Sequence, residues 1–371
     1  MKRSFIFAGV VCAAGLMFAQ AEPGSVEQLA ETDSTIVVGE DVATQLQEFL
    51  DAKGWTEGDN YKKDGSLFIV VTGVGTIAAP PSNPNYNASR ANAFAKAMLA
   101  AKVSLSSYLE QTIATAVESA YGESGEGSTA QEGEAEIDDE KATAAINALP
   151  EDSVVGQTRD GLKAARAKTP TATEAFARSV SSATTALISG LQAFYTVEAQ
   201  AAGQNGEIGV VAIWSPALAE TAACMTNGKA PVTLRSAKKP VREQLPTNNE
   251  KLLSTFGVQQ KIDENGELVL VAFAQSAARS KNKRAQNAAY QKAFLDASGM
   301  IRSFAGEAVE GTSSLMEAEI SEDYNVEGEL PNYSDEGAYF EYQKSVGKEL
   351  TINGIKRLKQ WHAKHPISGQ E

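Results

Sequence analysis

The chain repeats itself. A β-rich run followed by a long Ala-rich stretch occurs first as GSLFIVVTGVG (65–75) with ASRANAFAKAMLAAKVSLSSYL. It occurs again as GELVLVAFAQS (266–276) with NKRAQNAAYQKAFLDASGMIRSF. Phe94, Met98, Ala101, Leu105, Tyr108 and Ile113 are matched, at one constant interval, by Tyr290, Phe294, Ala297, Ile301, Phe304 and Val309. Apolar residues at steps of three and four put one stripe on one helix face. The run Leu67 to Val71, entered from Asp64-Gly65, reads as a buried strand. The expected fold is therefore α+β: two tandem copies of a small, mainly antiparallel sheet, each packed by a long Ala-rich helix. Burying that stripe stabilises each copy by about 1.5–3 kcal/mol per large side chain. Such a repetition constrains architecture and names no chemistry.

The N-terminus carries an address. Lys2 and Arg3 precede an apolar run from Phe5 to Phe18, and Ala19-Gln20-Ala21 fits a small-x-small cleavage site. Residues 1–21 read as a signal peptide cleaved after Ala21, so the protein is expected in the periplasm or secreted. The run is too short to span a membrane, no later segment is expected to cross one, and Val10-Val11 before Cys12 argue against a lipid anchor. Cleavage leaves Cys224 as the single cysteine, so stability must come from a core rather than a disulfide. Cys224 itself reads as a small buried hydrophobe. The net charge of −14 falls to −16 once Lys2 and Arg3 are lost. That excess of acid argues against nucleic acid or anionic lipid as a partner.

Residues 22–40 lack periodicity and read as a flexible lead. The first α+β copy is expected over 41–225, beginning with the helix VATQLQEFL that ends near Gly54 and holding an acidic, low-complexity insertion at about 122–140. A helix through ATEAFARSVSSATTALISG leads to the hairpin QAFYTVEAQ/EIGVVAIW around Asn205-Gly206. Residues 226–248 read as a basic, Pro-rich linker. The second copy follows over 249–371, with its own acidic stretch between Ser303 and Gln343. ISGLQAFYTVEAQ from Ile188 resembles INGIKRLKQWHAK from Ile352, but IGVVAIW has no counterpart before Glu371. The second copy is expected to lack its last strand, leaving an edge open to pairing.

The motifs that could carry chemistry are weak. Gly73-Val-Gly75-Thr-Ile-Ala78 satisfies GxGxxA after a strand, yet Pro80-Pro81-Ser-Asn-Pro84 postpones the helix whose N-terminus a pyrophosphate would need. A bulge or tight strand end is the better reading. Ser236-Ala-Lys-Lys239 and Ser280-Lys-Asn-Lys283 fit SxxK without its companion motifs. No histidine precedes His362, which removes a Ser-His or Cys-His triad from the first copy. His362 and His365, in an expected strand, fall on opposite faces and read as solvent-exposed. Asp323-Tyr-Asn325-Val-Glu327-Gly328 copies only the front of an EF-hand loop, since Ser334 stands at the twelfth position. Asp138-Asp139-Glu140 and Glu307 with Glu310 read as solvated acid rather than an acid–base pair. No catalytic, cofactor-binding or metal residue is assigned.

The Gly-Val-Gly strand followed by SRANAFAKAMLAAKVSLSSYL resembles the core of LPP-type lipoprotein and flagellar T-ring-associated envelope domains, over about residues 65–115 and more faintly 266–309. The chain departs from them in having no lipobox cysteine and no glycines in the second copy. The resemblance implies a non-enzymatic component of the bacterial envelope. The expected function is accordingly structural or protein-binding, with a protein partner or self-association through Lys229, Arg235, Lys238, Lys239 and Arg242 meeting acidic stretches of a neighbour. A cation- or glycan-binding module using the acidic loops is one alternative. A carboxylate-based hydrolase is the other.

Overall fold

A computed structural model describes residues 34–63, 65–83, 85–123, 189–201, 205–226, 238–278, 280–305 and 355–370. The expected signal peptide, the two acidic stretches, the helix expected before residue 189 and the EF-hand-like pattern at 323–334 lie outside the described residues. Within them the fold is α+β. β1 (Thr35–Val38), α1 (Val42–Lys53), β2 (Gly58–Tyr61), β3 (Leu67–Thr76) and α2 (Tyr86–Glu123) come first. β4 (Gln192–Gln200), β5 (Glu207–Trp214) and α3 (Pro216–Thr226) follow. α4 (Asn249–Ser254), β6 (Gly257–Ile262), β7 (Leu268–Phe273) and α5 (Lys283–Ala305) complete the order.

α1 forms where the sequence caps it at both ends. Asp41 Oδ1 accepts from the Thr44 N–H at 2.8 Å, and Gly54 closes the helix at φ 67°, ψ 33°, a left-handed conformation that glycine adopts without a Cβ penalty. The larger sheet has the order β1-β4-β5-β3-β2. α1 packs Val42, Leu46 and Leu50 on one face, against Phe68, Val70, Val197, Val211 and Ile213. α2 covers the other face with Ala93, Ala97, Ala101 and Leu105, against Ile69, Val71, Val210 and Ala212. β6 and β7 form a separate antiparallel pair. The two parts share their core, because Phe256 belongs with the α2 side, and Val258, Ile301 and Phe304 with the α1 side.

Several expectations are corrected here. The end of the presumed flexible lead is a strand: β1 pairs with β4 from Thr35 to Val38, and in parallel, so the larger sheet is mixed. Part of the presumed linker is anchored, since Val241–Gln244 form a 3-10 turn and Leu245 is buried against Leu252, Val271 and Phe273. Residues 355–364 form no strand. His365 is 1 % exposed, while His362 faces solvent.

Gly73 and Gly75 make neither a bulge nor a strand end. Both lie inside an unbroken β3–β5 ladder from Ile69↔Trp214 to Thr76↔Glu207. Their role is close approach: a Cβ on Gly73 would stand 2.0 Å from the Ala97 carbonyl oxygen, and one on Gly75 equally close to that of Ala93. The Ala-rich face of α2 and the two glycines are thus one device, letting helix backbone touch strand backbone. We expect Gly73→Ala to lower unfolding free energy in a urea titration by about 3 kcal/mol, the upper range for overpacking a rigid core. A loss under about 0.5 kcal/mol would contradict the contact.

Candidate functional site

The most chemically loaded place is a buried cluster on β4. Glu198 is one carboxylate in a strand whose other residues are mostly apolar, and it is 3 % exposed. Its Oε2 accepts from Arg90 Nε at 2.6 Å and lies 3.2 Å from His365 Nε2, while Oε1 accepts from the Tyr86 hydroxyl at 2.8 Å. Tyr86 and Arg90 are one turn apart on α2, so a single helix face delivers both. Arg90 also donates to the Leu253 carbonyl at 3.0 Å and to Gln275 Oε1 at 3.2 Å. The Ser368 N–H donates to His365 Nδ1 at 3.3 Å, which assigns the ring proton to Nε2, facing Glu198.

Each titration follows from this packing. Burial works against the Glu198 charge, but Arg90, His365 and Tyr86 outweigh it and bring its pKa from 4.5 down to about 2. Burial, helped by the Arg90 charge, holds His365 below its ordinary value of 6.5 despite the pull of Glu198. Burial and Glu198 push the Tyr86 hydroxyl up. The result is an ionised Glu198 between Arg90 and a neutral histidine, with every donor engaged. That is a clasp between α2, β4, the α4 end and the segment 355–370. Glu198 and His365 are both almost wholly shielded from solvent in this packing.

A second pair lies between the helices. Lys102 on α2 is 6 % exposed and its Nζ donates to Ser303 Oγ on α5 at 2.6 Å. Burial brings the lysine from 10.5 down to about 7. An amine of that basicity beside a hydroxyl is base and nucleophile in kind, but the adjoining cavity measures about 90 Å³. That is well below the roughly 300–1,000 Å³ of small-molecule sites. The SxxK motif at Ser280 takes no part, because Ser280 and Lys283 are exposed, and Ser236 of the other motif lies outside the described residues.

The larger space is a groove of about 610 Å³ between β7, α5 and residues 355–363. Tyr290, Ala293, Phe294 and Ala297 line its helix side, and Ile355, Leu358 and Trp361 its far side. Arg90 and Gln275 stand at one end, so the clasp and the groove adjoin. Cys224 is half-buried on the groove wall rather than fully buried. Arg357 lies over the Phe294 ring at 5.2 Å, and Lys359 Nζ donates to the Pro246 carbonyl at 2.8 Å. Among the described residues no group of three or more His, Cys, Asp or Glu is placed to hold a metal.

Sequence reasoning missed the clasp, although its signal was present. Glu198 is a charge inside an apolar strand, and Arg90 a charge on an alanine face; each needs a buried partner. Which partner follows only from the topology. No protein-family model and no curated protein matches the chain. Among solved structures, a hypothetical protein from Francisella tularensis is similar at 16 % identity and a TM-score of 0.51, over 94 % of this chain and 95 % of that one. At that identity the likeness speaks for the fold alone. No helix among the described residues is long and apolar enough to cross a membrane.

Two outcomes follow from the buried charges. Glu198→Gln leaves Arg90 buried with an uncharged partner, and we expect a loss of about 3–5 kcal/mol in chemical denaturation; a loss below 1 kcal/mol would deny the clasp its role. Lys102 has the lower pKa in the folded state, so the unfolded chain binds the extra proton between pH 7 and 10.5. Its burial therefore costs most below pH 7, and stability rises through that window by up to about 1.4 kcal/mol per pH unit. Denaturation of the native protein and of Lys102→Met at pH 6, 8 and 10 should converge as pH rises. A pH-independent difference would refute it.

Proposed function

We propose that this is an exported, non-enzymatic protein of the bacterial envelope, built from two related tandem units, that works by binding another polypeptide. The groove beside β7 carries the reading. It is open and largely apolar, and its wall at residues 355–363 is anchored, because His365 bonds Glu198 and packs on the Tyr86 ring at one end, and Lys359 bonds the Pro246 carbonyl. Glu198, Tyr86 and Lys102 are buried among the described residues and bonded to protein partners, which agrees with a structural role for them. A signal-like residue pattern at 1–21 supports export. The resemblance to LPP-type and T-ring-associated envelope domains agrees with both statements, and it rests on the strand and helix whose glycine–alanine contact is described above.

The test is made in cells. Fractionation followed by intact mass should find the protein outside the cytoplasm with a new N-terminus after Ala21. A photo-crosslinking residue placed at Ala293, in the groove, should give protein adducts that the same residue at exposed Glu264 does not. A cytoplasmic protein with an uncleaved N-terminus, or an adduct at position 293 consisting of lipid alone, would overturn the reading.

A further inference from the structure

The groove has the position of a missing strand. In the larger sheet the turn Lys62 to Ser66 is closed by the Lys62 N–H donating to the Ser66 carbonyl at 2.9 Å, and antiparallel pairs alternate from there. Asn60↔Phe68 and Gly58↔Val70 are therefore the hydrogen-bonded pairs of β2–β3. The odd-numbered residues of β3 turn their backbone groups to β5, in phase with the Ile77 N–H on the Gly206 carbonyl at 2.7 Å. Ile69, Val71, Gly73 and Gly75 thus bond β5, while Phe68 and Val70 bond β2.

The smaller sheet has the same phase. The Asp263 N–H donates to the Glu267 carbonyl at 3.0 Å, so Lys261↔Val269, Gln259↔Val271 and Gly257↔Phe273 are its bonded pairs. Leu268, Leu270 and Ala272 then point their N–H and C=O groups away from β6. These are the counterparts of Leu67, Ile69 and Val71 when the two β-runs are aligned. Among the described residues β7 pairs with β6 alone, and these outward groups face the groove. The side chains agree as well. Leu270 and Ala272 face α5 with Ile301 and Phe304, as Ile69 and Val71 face α2. Val271 and Phe273 face Leu245 and Leu252 on the other side.

β5 occupies this place in the larger sheet, seated between β3 and β4. In the smaller one the place between β7 and residues 355–363, the stretch that resembles β4 in sequence, is the groove. Resting on the reading that the protein binds polypeptides, we propose that the groove takes an extended apolar strand of a second polypeptide, added antiparallel to β7 as β5 is added to β3. Main-chain bonds to Leu268, Leu270 and Ala272 would supply affinity. The partner's alternate side chains enter toward Phe294 and Ala297 on one side and toward Leu245 and Trp361 on the other. Lys356, Arg357 and Lys359 form an exposed basic rim on a chain of net charge −14, so the donated strand carries acid at its flank. β5 itself, Glu207-Ile-Gly-Val-Val-Ala-Ile-Trp214, has this composition and serves as the probe.

The experiment adds a synthetic peptide of the sequence Asn205–Trp214 to the full-length mature protein and follows residue-resolved amide exchange. At saturating peptide, the amides of Leu268, Leu270 and Ala272 should slow at least tenfold, while those of Val269, Val271 and Phe273, already bonded to β6, change little. Ala272→Pro removes one outward donor and no β6 bond, and should weaken the peptide at least tenfold. Ala297→Trp, which fills the groove from the helix side, should do the same. Binding with no change at the three outward amides would overturn strand addition while leaving the broader binding reading intact. Slow exchange of those amides in the free protein would show the place already filled by the chain itself and would equally overturn the proposal. Failure of the peptide to bind at millimolar concentration would overturn it as well, and the crosslink at position 293 would then decide the broader reading separately.

Discussion

The Glu198 carboxylate holds the described parts together. A charge at 3 % exposure survives only if its lone pairs are filled, and here the donors come from two separate stretches. Arg90 and Tyr86 belong to the long helix, His365 to the C-terminal segment, and Arg90 in turn fixes the end of α4 and Gln275 after β7. Gln275 carries the connection further by donating to the carbonyls of Leu252, Leu253 and Thr255. None of these bonds contributes much beyond the cost of removing its own charge from water. What they supply together is position: only one arrangement of helix, sheet and C-terminal segment satisfies all of them.

A second contrast concerns how closely a helix can approach a sheet. β3 presents Gly73 and Gly75 to alanines of α2, and backbone meets backbone. β7 is followed by Ala274 and Ser276 at the matching places, and α5 brings Tyr290 and Phe294 where α2 has Phe94 and Met98. α5 meets its sheet through Ile301 and Phe304, whereas its earlier residues line the groove. One side of the molecule is thus a closed core and the other an open one, although strand phase and turn geometry agree. The clasp borders the open side and anchors its outer wall, so the buried charges and the groove adjoin.

Some of this was legible from particular residues. The periodicity from Phe94 to Leu105 and the β-run at Leu67 gave α2 and β3 directly, and Asp41 with Gly54 bounded α1, because caps and apolar spacing are local properties. β1 escaped because TIVV is too short to show a period, and its pairing with β4 is parallel and distant in sequence. The glycines were seen but misread. A GxG after a strand is compatible with a bulge, a phosphate loop or a close approach, and only the position of Ala93 and Ala97 distinguishes them. His365 was read as exposed because an isolated histidine near a chain end shows nothing of the carboxylate that receives it.

By itself the sequence determined the local elements, the α+β class and the matching of two strand–helix patterns, since these depend on spacing, propensity and caps within a few residues. It also carried the warning that Glu198 and Arg90 sit in apolar surroundings. The tertiary structure alone decided that those two charges meet, that His365 and Tyr86 complete them, and that Leu268, Leu270 and Ala272 are the outward-facing groups of β7. Those outcomes depend on register and on which distant segments share a boundary, and both are set by packing the whole chain at once.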